Sequence, residues 1–401
     1  MSSPIPALDR LPEALQKRIY NDLKDKDILS LAVVCKEVSR NALPRLYLRS
    51  VLTIPREEDP VHDLWSNRWS KKQQNRYCKT LKRHPEFGQE AHTLYLSFSY
   101  KRIGYNEVEE EEDTATINQV ANALNKLQRL VRLEVFQTRN VTFPDSLLAA
   151  LPPSLAVVNL EHSALSEEGC LALLRRLPLL EYFKVFISDE PQPESHLPLH
   201  HPKLAYLAID LTAVSPAFFI AITHDVPNLT SFECDFKGLN KMKGSSFLRQ
   251  LKKLYVLGQF TYWHSLDPSP WALDLGRILN DCTTLEFLAV QAPDMNGMAS
   301  EILVSIEEHD IFRHIPSSIT ELNLLRLLLK PSYILSTVQR LAPHLKSLST
   351  TLIRKNLAGD LRKFWASPPD KVTEGKVREI CQANGIEYNH VDERRDLPAI
   401  D

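Results

Sequence analysis

Apolar residues recur along the chain in an L-x-x-L-x-L frame, in which apolar side chains fill the first, fourth and sixth positions. Consecutive copies begin at Leu130, Leu155, Leu180, Leu204 and Leu229, so they start 24 or 25 residues apart. The alternation of apolar and polar positions in the second half of each frame predicts a short strand with one buried face. Strands at such constant spacing indicate an internal repeat.

The repeat extends beyond these copies in both directions. Further frames begin at Ala91, Leu285, Ile319 and Leu345. Another copy is expected around Leu251, Leu254 and Leu257, where the frame is ambiguous. Between frames, residues 166–178 are typical of a helix that Ser166 caps.

Residues 91–390 resemble a leucine-rich repeat domain, because the frame and its period are those of that family. The resemblance implies an α/β horseshoe in which each strand-plus-helix unit buries its apolar side against its neighbours. The Asn that the family often carries after the strand is missing, and the step from Leu285 to Ile319 lengthens to 34 residues. We therefore expect an irregular solenoid. The alternative is a globular α/β domain with accidental periodicity.

The C-terminal segment predicts a closing unit for the repeat. Residues 376–391 combine a helix that carries Val377 and Ile380, a stop at Gly385 and a short strand. A terminal repeat needs a polar outer face, so a capping role fits this segment. Residues 391–401 are interpreted as a loose tail.

A separate helical pattern precedes the repeat. Large apolar residues recur at every fourth position and form one face of a predicted helix. These residues are Leu11, Leu15, Ile19 and Leu23. Pro12 stands at a first helical position, and Asp27 is placed to cap a second helix. Such short helices form too small a core to be robust alone, so we expect a partner that covers the remaining apolar surface.

The same residues resemble an F-box of the fungal kind. The resemblance is carried by Leu11-Pro12-Glu13, Ile19, Leu23, Asp27, Leu31, Val34-Cys35-Lys36 and Leu43-Pro44-x-Leu46-Tyr47. It implies a small helical module, residues 1–50, that docks on a Skp-type adaptor and so joins a cullin–RING ubiquitin ligase. The adaptor-binding positions that it implies are Leu11, Pro12, Leu15, Ile19, Leu23, Leu31 and Val34.

The chain departs from this family at one place. Many F-boxes carry an aromatic residue after Cys-Lys, and here Val38 and Ser39 follow Cys35-Lys36 instead. The alternative is that residues 6–50 form a helical cap on the horseshoe, with the Leu-Pro stripe buried internally.

Residues 51–90 are interpreted as a connector. Within residues 64–84, seven Lys or Arg and no acidic residue accompany two tryptophans, Tyr77 and Leu81. This pattern predicts an amphipathic helix with a basic outer face. Such a helix could contact nucleic acid or phospholipid, and a packed connector with solvated lysines is the favoured alternative.

Residues between the inward leucines of a leucine-rich repeat point out of the concave sheet. The candidate substrate-binding residues at such positions are Glu134, Phe136, Glu161, Tyr182, Phe186, Tyr206, Asp210, Glu233 and Phe287. The set is aromatic and acidic, whereas a receptor for phosphorylated peptides would need a cluster of Arg. We therefore expect an unphosphorylated or somewhat basic protein substrate. Alternatively, the aromatic side chains only shield their neighbours.

A second candidate binding segment is the aromatic and Pro-rich stretch 260–271, which lies between two frames. Insertions in repeat proteins map to loops on one face and often bind ligands. The alternative is a loop that is packed by its own rings.

Charge and cysteine usage exclude several classes of function. The formal net charge of −2 gives the whole chain no attraction to nucleic acid or to anionic membranes, so neither is expected as a partner. Neither a signal-peptide pattern nor a membrane-spanning apolar run is present. Six scattered cysteines without a CxxC pair indicate a reducing compartment, cytoplasmic and/or nuclear.

The chain also lacks the motifs of common enzymes and cofactor sites, including the P-loop, the dinucleotide fingerprint, G-x-S-x-G and HExxH. His196, His200 and His201 have nearly metal-like spacing, but no second ligand cluster accompanies them. We expect no metal, no cofactor and no catalytic residue. The expected function is that of a substrate receptor in a cullin–RING ligase, and the alternative is an interaction scaffold that joins no ligase.

Overall fold

The computed structural model describes thirteen stretches of the chain. They are residues 49–54, 71–98, 114–137, 141–187, 197–211, 214–236, 238–257, 269–291, 306–325, 327, 329, 331–350 and 371–390. The chain divides into two compact units, residues 1–188 and residues 189–401. Residues 1–48, in which the F-box-like helices are predicted, lie outside the described residues, as do residues 258–268 and 391–401.

The first unit is α/β, with parallel strands in the order β1-β2-β3-β5-β6 and with the short β4 paired to β5. Its strands are β1 (Arg49–Ile54), β2 (Thr93–Phe98), β3 (Arg132–Gln137), β4 (Val141–Thr142), β5 (Val157–Leu165) and β6 (Tyr182–Ile187). Its helices are α1 (Lys71–Arg83), α2 (Thr114–Leu124), α3 (Asp145–Ala150) and α4 (Glu167–Arg176), with a 3₁₀ turn at Pro85–Glu90.

The apolar frames coincide with the strands of this unit. Leu94, Leu133, Val158 and Phe183 occupy the fourth frame position, and the strand pairing aligns them as neighbours across the sheet. All four side chains are fully buried. The sheet also contains two strands that the frames did not predict, since β1 pairs with β2 ahead of the first expected strand and the short β4 pairs with β5.

The second unit is also α/β, with parallel strands that follow one another in chain order from β7 to β13. Its strands are β7 (Tyr206–Ile209), β8 (Ser231–Cys234), β9 (Lys253–Leu257), β10 (Phe287–Gln291), β11 (Glu321–Leu324), β12 (Ser347–Thr350) and β13 (Glu387–His390). Its helices are α5 (Pro216–Thr223), α6 (Ser269–Asp281), α7 (Pro331–Leu341) and α8 (Lys371–Ala383), with 3₁₀ turns at Leu239–Met242, Ser246–Gln250 and Ile311–His314.

The pairing of β9 with β10 decides the ambiguous frame. Leu254 aligns with Leu288 and Val256 aligns with Val290, and all four side chains are fully buried. The frame therefore runs Leu251, Leu254, Val256, which resolves the choice that the sequence left open. Neighbouring strands continue the same buried row through Leu207, Phe232, Leu322 and Leu348.

Aromatic side chains fill the core between the strands and the connecting segments of the second unit. The rings of Phe232 on β8 and Phe247 in the following 3₁₀ turn lie 5.3 Å apart, and Phe219 on α5 lies 6.2 Å from each of them. All three rings are buried. These rings of α5 and of the turn Ser246–Gln250 cover one face of the sheet at β8.

Local helix signals in the sequence are confirmed. The Ser166 hydroxyl accepts a hydrogen bond from the Gly169 N–H (3.0 Å) at the start of α4. At the C-terminal end of α8, Gly385 has a φ of +67°, and the Ile386 N–H returns to the Cys381 carbonyl at 2.8 Å. The strand β13 follows directly, so the predicted helix, stop and strand of the closing unit are all present.

The predicted connector helix is present as α1 within its described part. Tyr77 and Leu81 are buried, whereas Lys79, Lys82 and Arg83 are exposed. This arrangement is the one expected of a packed helix with solvated basic residues.

Candidate functional site

Every strand presents a second set of side chains on the face opposite the buried row, because successive residues of a strand point to opposite sides. In the second unit this face carries Tyr206, Tyr255 and Phe287, and all three side chains are partly exposed. In the first unit the corresponding face carries Tyr182 and Lys184, which are also partly exposed. These faces hold the candidate binding residues.

Three aromatic rings of the second unit follow one another across the sheet. The Tyr206 and Tyr255 rings lie 6.3 Å apart at an interplanar angle of 60°. The Tyr255 and Phe287 rings lie 4.9 Å apart at 38°. We call these three residues, on β7, β9 and β10, the aromatic row. Their contacts stabilise the exposed face and hold three aromatic surfaces next to one another.

A buried carboxylate lies between the rings. Glu233 on β8 aligns with Tyr255 on β9, and it is only 5% exposed. The Tyr206 hydroxyl donates a hydrogen bond to its carboxylate. A charged hydrogen bond of this kind fixes both the phenol and the acid in position.

Two more buried acids follow the ends of neighbouring strands. Asp210 comes directly after β7 and Asp235 directly after β8, and Asp235 accepts a hydrogen bond from the Gly238 N–H at 3.2 Å. Burial raises the pKa of the Cys234 thiol, and the charges of Asp235, Glu233 and Asp210 raise it further. The three acids stand on or directly after β7 and β8 in the chain.

The face of the first unit has a different charge pattern. Arg132 forms an ion pair with Glu134, and that carboxylate is 7% exposed. Glu134 aligns with Asn159 on β5, which in turn aligns with Lys184 on β6. Acidic and basic groups are mixed on this face, so it has no marked preference for one sign of charge.

The structure buries one residue that the sequence placed on the exposed face. Phe186 is 6% exposed and lies in the stretch Val185, Phe186, Ile187, all of which is buried. The pairing of β5 with β6 shifts register between Asn159 and Ala164, and Phe186 aligns with the buried Ala164 beyond the shift. This irregularity interrupts the alternation, so the expectation that Phe186 faces solvent is wrong.

The remaining candidates have these positions. Three candidates lie on the exposed faces and are partly accessible: Tyr182, Tyr206 and Phe287. Three acids on these faces are buried by their neighbours: Glu134, Glu233 and Asp210. Phe136 belongs to β3 and Glu161 to β5. The predicted adaptor-binding residues Leu11, Pro12, Leu15, Ile19, Leu23, Leu31 and Val34 lie outside the described residues.

Tyr255 is a site residue that the sequence reasoning missed. It stands at the fifth frame position, as Glu233 does, but only if the frame starts at Leu251. Because the frame was ambiguous there, Tyr255 was not assigned to either face. The spacing from Leu251 to Leu254 matches the first and fourth frame positions, and it could have assigned Tyr255 to the exposed face.

The histidines with nearly metal-like spacing lie in different surroundings. Within the described part of the chain, no group of three or more His, Cys, Asp or Glu is arranged to hold a metal ion. His200 Nδ1 lies 2.5 Å from Asp225 Oδ2 in an exposed pair, and His201 is buried. His196 lies outside the described residues.

The helices in the described stretches fall short of what a bilayer span requires. Among them, none combines the length and the apolar character needed to cross a membrane.

No protein-family model matches the chain, and no curated protein is significantly similar to it. The residues and their geometry are therefore the basis of the functional proposal.

Proposed function

We propose that this chain is the substrate-receptor subunit of a cullin–RING ubiquitin ligase. Its F-box-like segment would dock a Skp-type adaptor, and its strand faces would hold a protein substrate. The observation that carries the receptor role is the aromatic row with the buried Glu233 on the partly exposed face of the second unit. Aromatic side chains at such positions are enriched among the residues that dominate binding energy. The adaptor role rests on the resemblance of residues 11–47 to an F-box.

The strand arrangement supports a leucine-rich-repeat organisation for both units. Within each unit, parallel strands follow one another along the sheet, and each frame contributes its fourth residue to the buried row of that unit. In a repeat protein of this kind each unit buries its apolar side only against its neighbours. The opposite face is then lined with variable side chains that can bind a partner.

The charges of the described strand faces favour a substrate that carries no phosphate. A phosphorylated motif is usually bound by a cluster of Arg. In the first unit Arg132 is already paired with Glu134, and in the second unit the aromatic row surrounds a carboxylate. We therefore propose an unmodified or basic substrate segment.

The proposed mechanism is proximity. The receptor holds the substrate at a fixed distance from the ubiquitin-transfer machinery, and the resulting high effective concentration accelerates the reaction. The chemical steps would occur on partner subunits, so the chain itself needs no nucleophile.

Co-purification with a Skp-type adaptor tests this proposal. We expect the wild-type chain to form a stoichiometric complex and the Leu11→Asp, Pro12→Ala double variant to lose it. Lys17→Asp is the matched control, because Lys17 lies on the same predicted helix but outside its apolar stripe. Circular dichroism of each variant checks that the repeat units remain folded.

A scaffold that joins no ligase is the second candidate function. It is favoured by Val38 and Ser39, which stand where many F-boxes carry an aromatic residue. If the wild-type chain does not bind the adaptor under conditions in which an established F-box does, the ligase proposal fails and the scaffold function takes its place.

A further inference from the structure

We infer that the aromatic row of the second unit, backed by the buried Glu233 carboxylate, binds an arginine side chain of the protein partner. The inference deepens the proposed function, and it rests on that function only for the identity of the partner as a substrate. The arginine would lie against the partly exposed rings of Tyr206, Tyr255 and Phe287.

The ring geometry supplies the first argument. Tyr255 lies between the other two rings, 6.3 Å from Tyr206 and 4.9 Å from Phe287. The interplanar angles of 60° and 38° mean that neighbouring rings are not coplanar, so the row offers ring surfaces in more than one orientation. A guanidinium group stacks on aromatic faces through both its flat shape and its positive charge.

The buried carboxylate supplies the second argument. Glu233 accepts a hydrogen bond from the Tyr206 hydroxyl, which increases the electron density of that phenol ring. Because Glu233 is 5% exposed, water screens its charge weakly. The negative potential of this acid therefore reaches the ring surface, where a cation would bind. Glu233 acts through the rings and is a positioning residue.

The surrounding charges favour a cation over an anion. Asp210 and Asp235 lie buried at the ends of β7 and β8, and Glu321 on β11 is exposed on the same face. Two lysines of the segment after β8 are engaged elsewhere, because the Lys241 ammonium donates to the Val214 carbonyl at 2.7 Å and Lys243 pairs with Asp274 on α6 at 2.6 Å. Phosphate groups and acidic peptides would meet repulsion here.

One positive charge on this face opposes the proposed ligand. Lys253 on β9 is exposed and aligns with Phe287 on β10, next to the aromatic row. Its removal should strengthen the binding of a cationic ligand, because like charges at this distance repel each other. Lys253 thus provides a variant whose expected effect has the opposite sign from all the others.

Arginine is favoured over lysine for a physical reason. The guanidinium group is planar and weakly hydrated, whereas an ammonium group is compact and holds its water strongly. The aromatic row offers flat surfaces, and the Glu233 carboxylate below them has its oxygen atoms covered. A guanidinium group, which can stack on the rings, therefore gains more from this surface than an ammonium group, which needs direct contact with an oxygen atom.

Peptide selection followed by calorimetry tests the inference on the full chain. Random short peptides are displayed and selected on the wild-type protein, and the best peptide is then synthesised with each arginine replaced by lysine or glutamine. We expect arginine to be enriched among the selected peptides. One arginine should be essential, and its replacement by glutamine should weaken binding about tenfold.

Variants of the chain are then measured with the same peptide. Tyr255→Leu, which keeps an apolar side chain but removes the ring, should weaken binding about fivefold, and Glu233→Gln should also weaken it. Lys253→Ala should strengthen binding about twofold. Glu379→Gln removes an exposed acid from α8 and should change nothing, which controls for overall charge.

The inference is overturned if no peptide is selected, if the selected peptides are acidic or lack arginine, or if Lys253→Ala weakens binding. The outcome is independent of the adaptor test. If the chain selects arginine peptides but does not bind the adaptor, the ligase proposal is wrong and the arginine site is still supported. If the chain binds the adaptor but selects no arginine peptide, only the arginine site is wrong.

Discussion

Gly238 lies against the main chain of Leu211, so that a Cβ on the glycine would come within 2.7 Å of the Leu211 carbonyl carbon and 2.8 Å of its Cα. The Gly238 N–H also donates to Asp235, one of the buried acids beside Glu233. The segment after β8 therefore approaches the segment after β7 more closely than any residue with a side chain would permit.

Gly238→Ala should destabilise the chain by about 1–3 kcal/mol, because the added methyl group meets backbone atoms that cannot move aside cheaply. Chemical denaturation followed by circular dichroism measures the effect. Gly375→Ala is the matched control, since no atom lies within 4 Å of its added Cβ and the residue is inside α8. That variant should be more stable by about 0.5–1 kcal/mol. Equal effects of the two substitutions would contradict the close approach at Gly238.

Ser166→Ala should cost about 1 kcal/mol, because the Gly169 N–H at the first turn of α4 loses its side-chain acceptor. Ser166→Asp keeps an acceptor at the same place and should be close to wild type. The free energy of unfolding, measured by urea denaturation of the three proteins, checks this prediction. If the alanine and aspartate variants lose the same stability, the cap has no role.

Stability should fall as the pH is lowered below about 6.5, in part because of His314. Burial lowers the pKa of His314 from its ordinary value of 6.5, and the charges of Arg313 and Arg340 lower it further. The unfolded chain then binds the proton more readily than the folded chain. The contribution of this residue is fully present above pH 6.5 and is lost as the pH falls toward the folded-state pKa.

Urea midpoints measured on both sides of pH 6.5 test this dependence. His314→Gln keeps a polar group near Asn280, whose side-chain oxygen lies 3.0 Å from His314 Nδ1. The variant should show a flatter dependence on pH than the wild type. An unchanged slope would mean that the histidine does not contribute.

Thiols in the described core should resist alkylation in the folded protein. Burial raises the pKa of Cys78 to about 11 and that of Cys282 to about 12, so neither is a thiolate at neutral pH. Iodoacetamide labelling quantified by peptide mass spectrometry should find both residues unmodified until denaturant is added. Labelling of Cys282 at the rate of the denatured chain would contradict its burial.

The positions of most strands in the described residues could be predicted from the frames alone. Leu133, Val158 and Phe183 alternate with polar neighbours, and this local alternation is sufficient to identify a strand and its buried side. The cap at Ser166 was equally readable, because it depends on residues within one helical turn. In contrast, β1 carries no copy of the frame, and its place at the edge of the sheet is known only from its pairing with β2.

The candidate site was predictable only in part. Tyr206 and Phe287 were identified from their positions in clear frames, but Tyr255 was missed because LKKLYVL permits two frames. The pairing of β9 with β10 resolves that choice, and no local pattern could. Phe186 was misplaced for a related reason, since the shift of register beside it depends on the neighbouring strand.

The sequence by itself determined which segments of the repeat become strands and which side of each strand is apolar, because alternation and spacing are local properties of the chain. The tertiary structure decided how deep each polar residue lies. Glu233 was read as an exposed acid, and it is buried beneath the Tyr206 hydroxyl and aligned with Tyr255. Glu233 on β8 is covered by side chains of β7 and β9, which are more than twenty residues away in the chain. The pairing register that brings these side chains together is set by the packing of the whole unit.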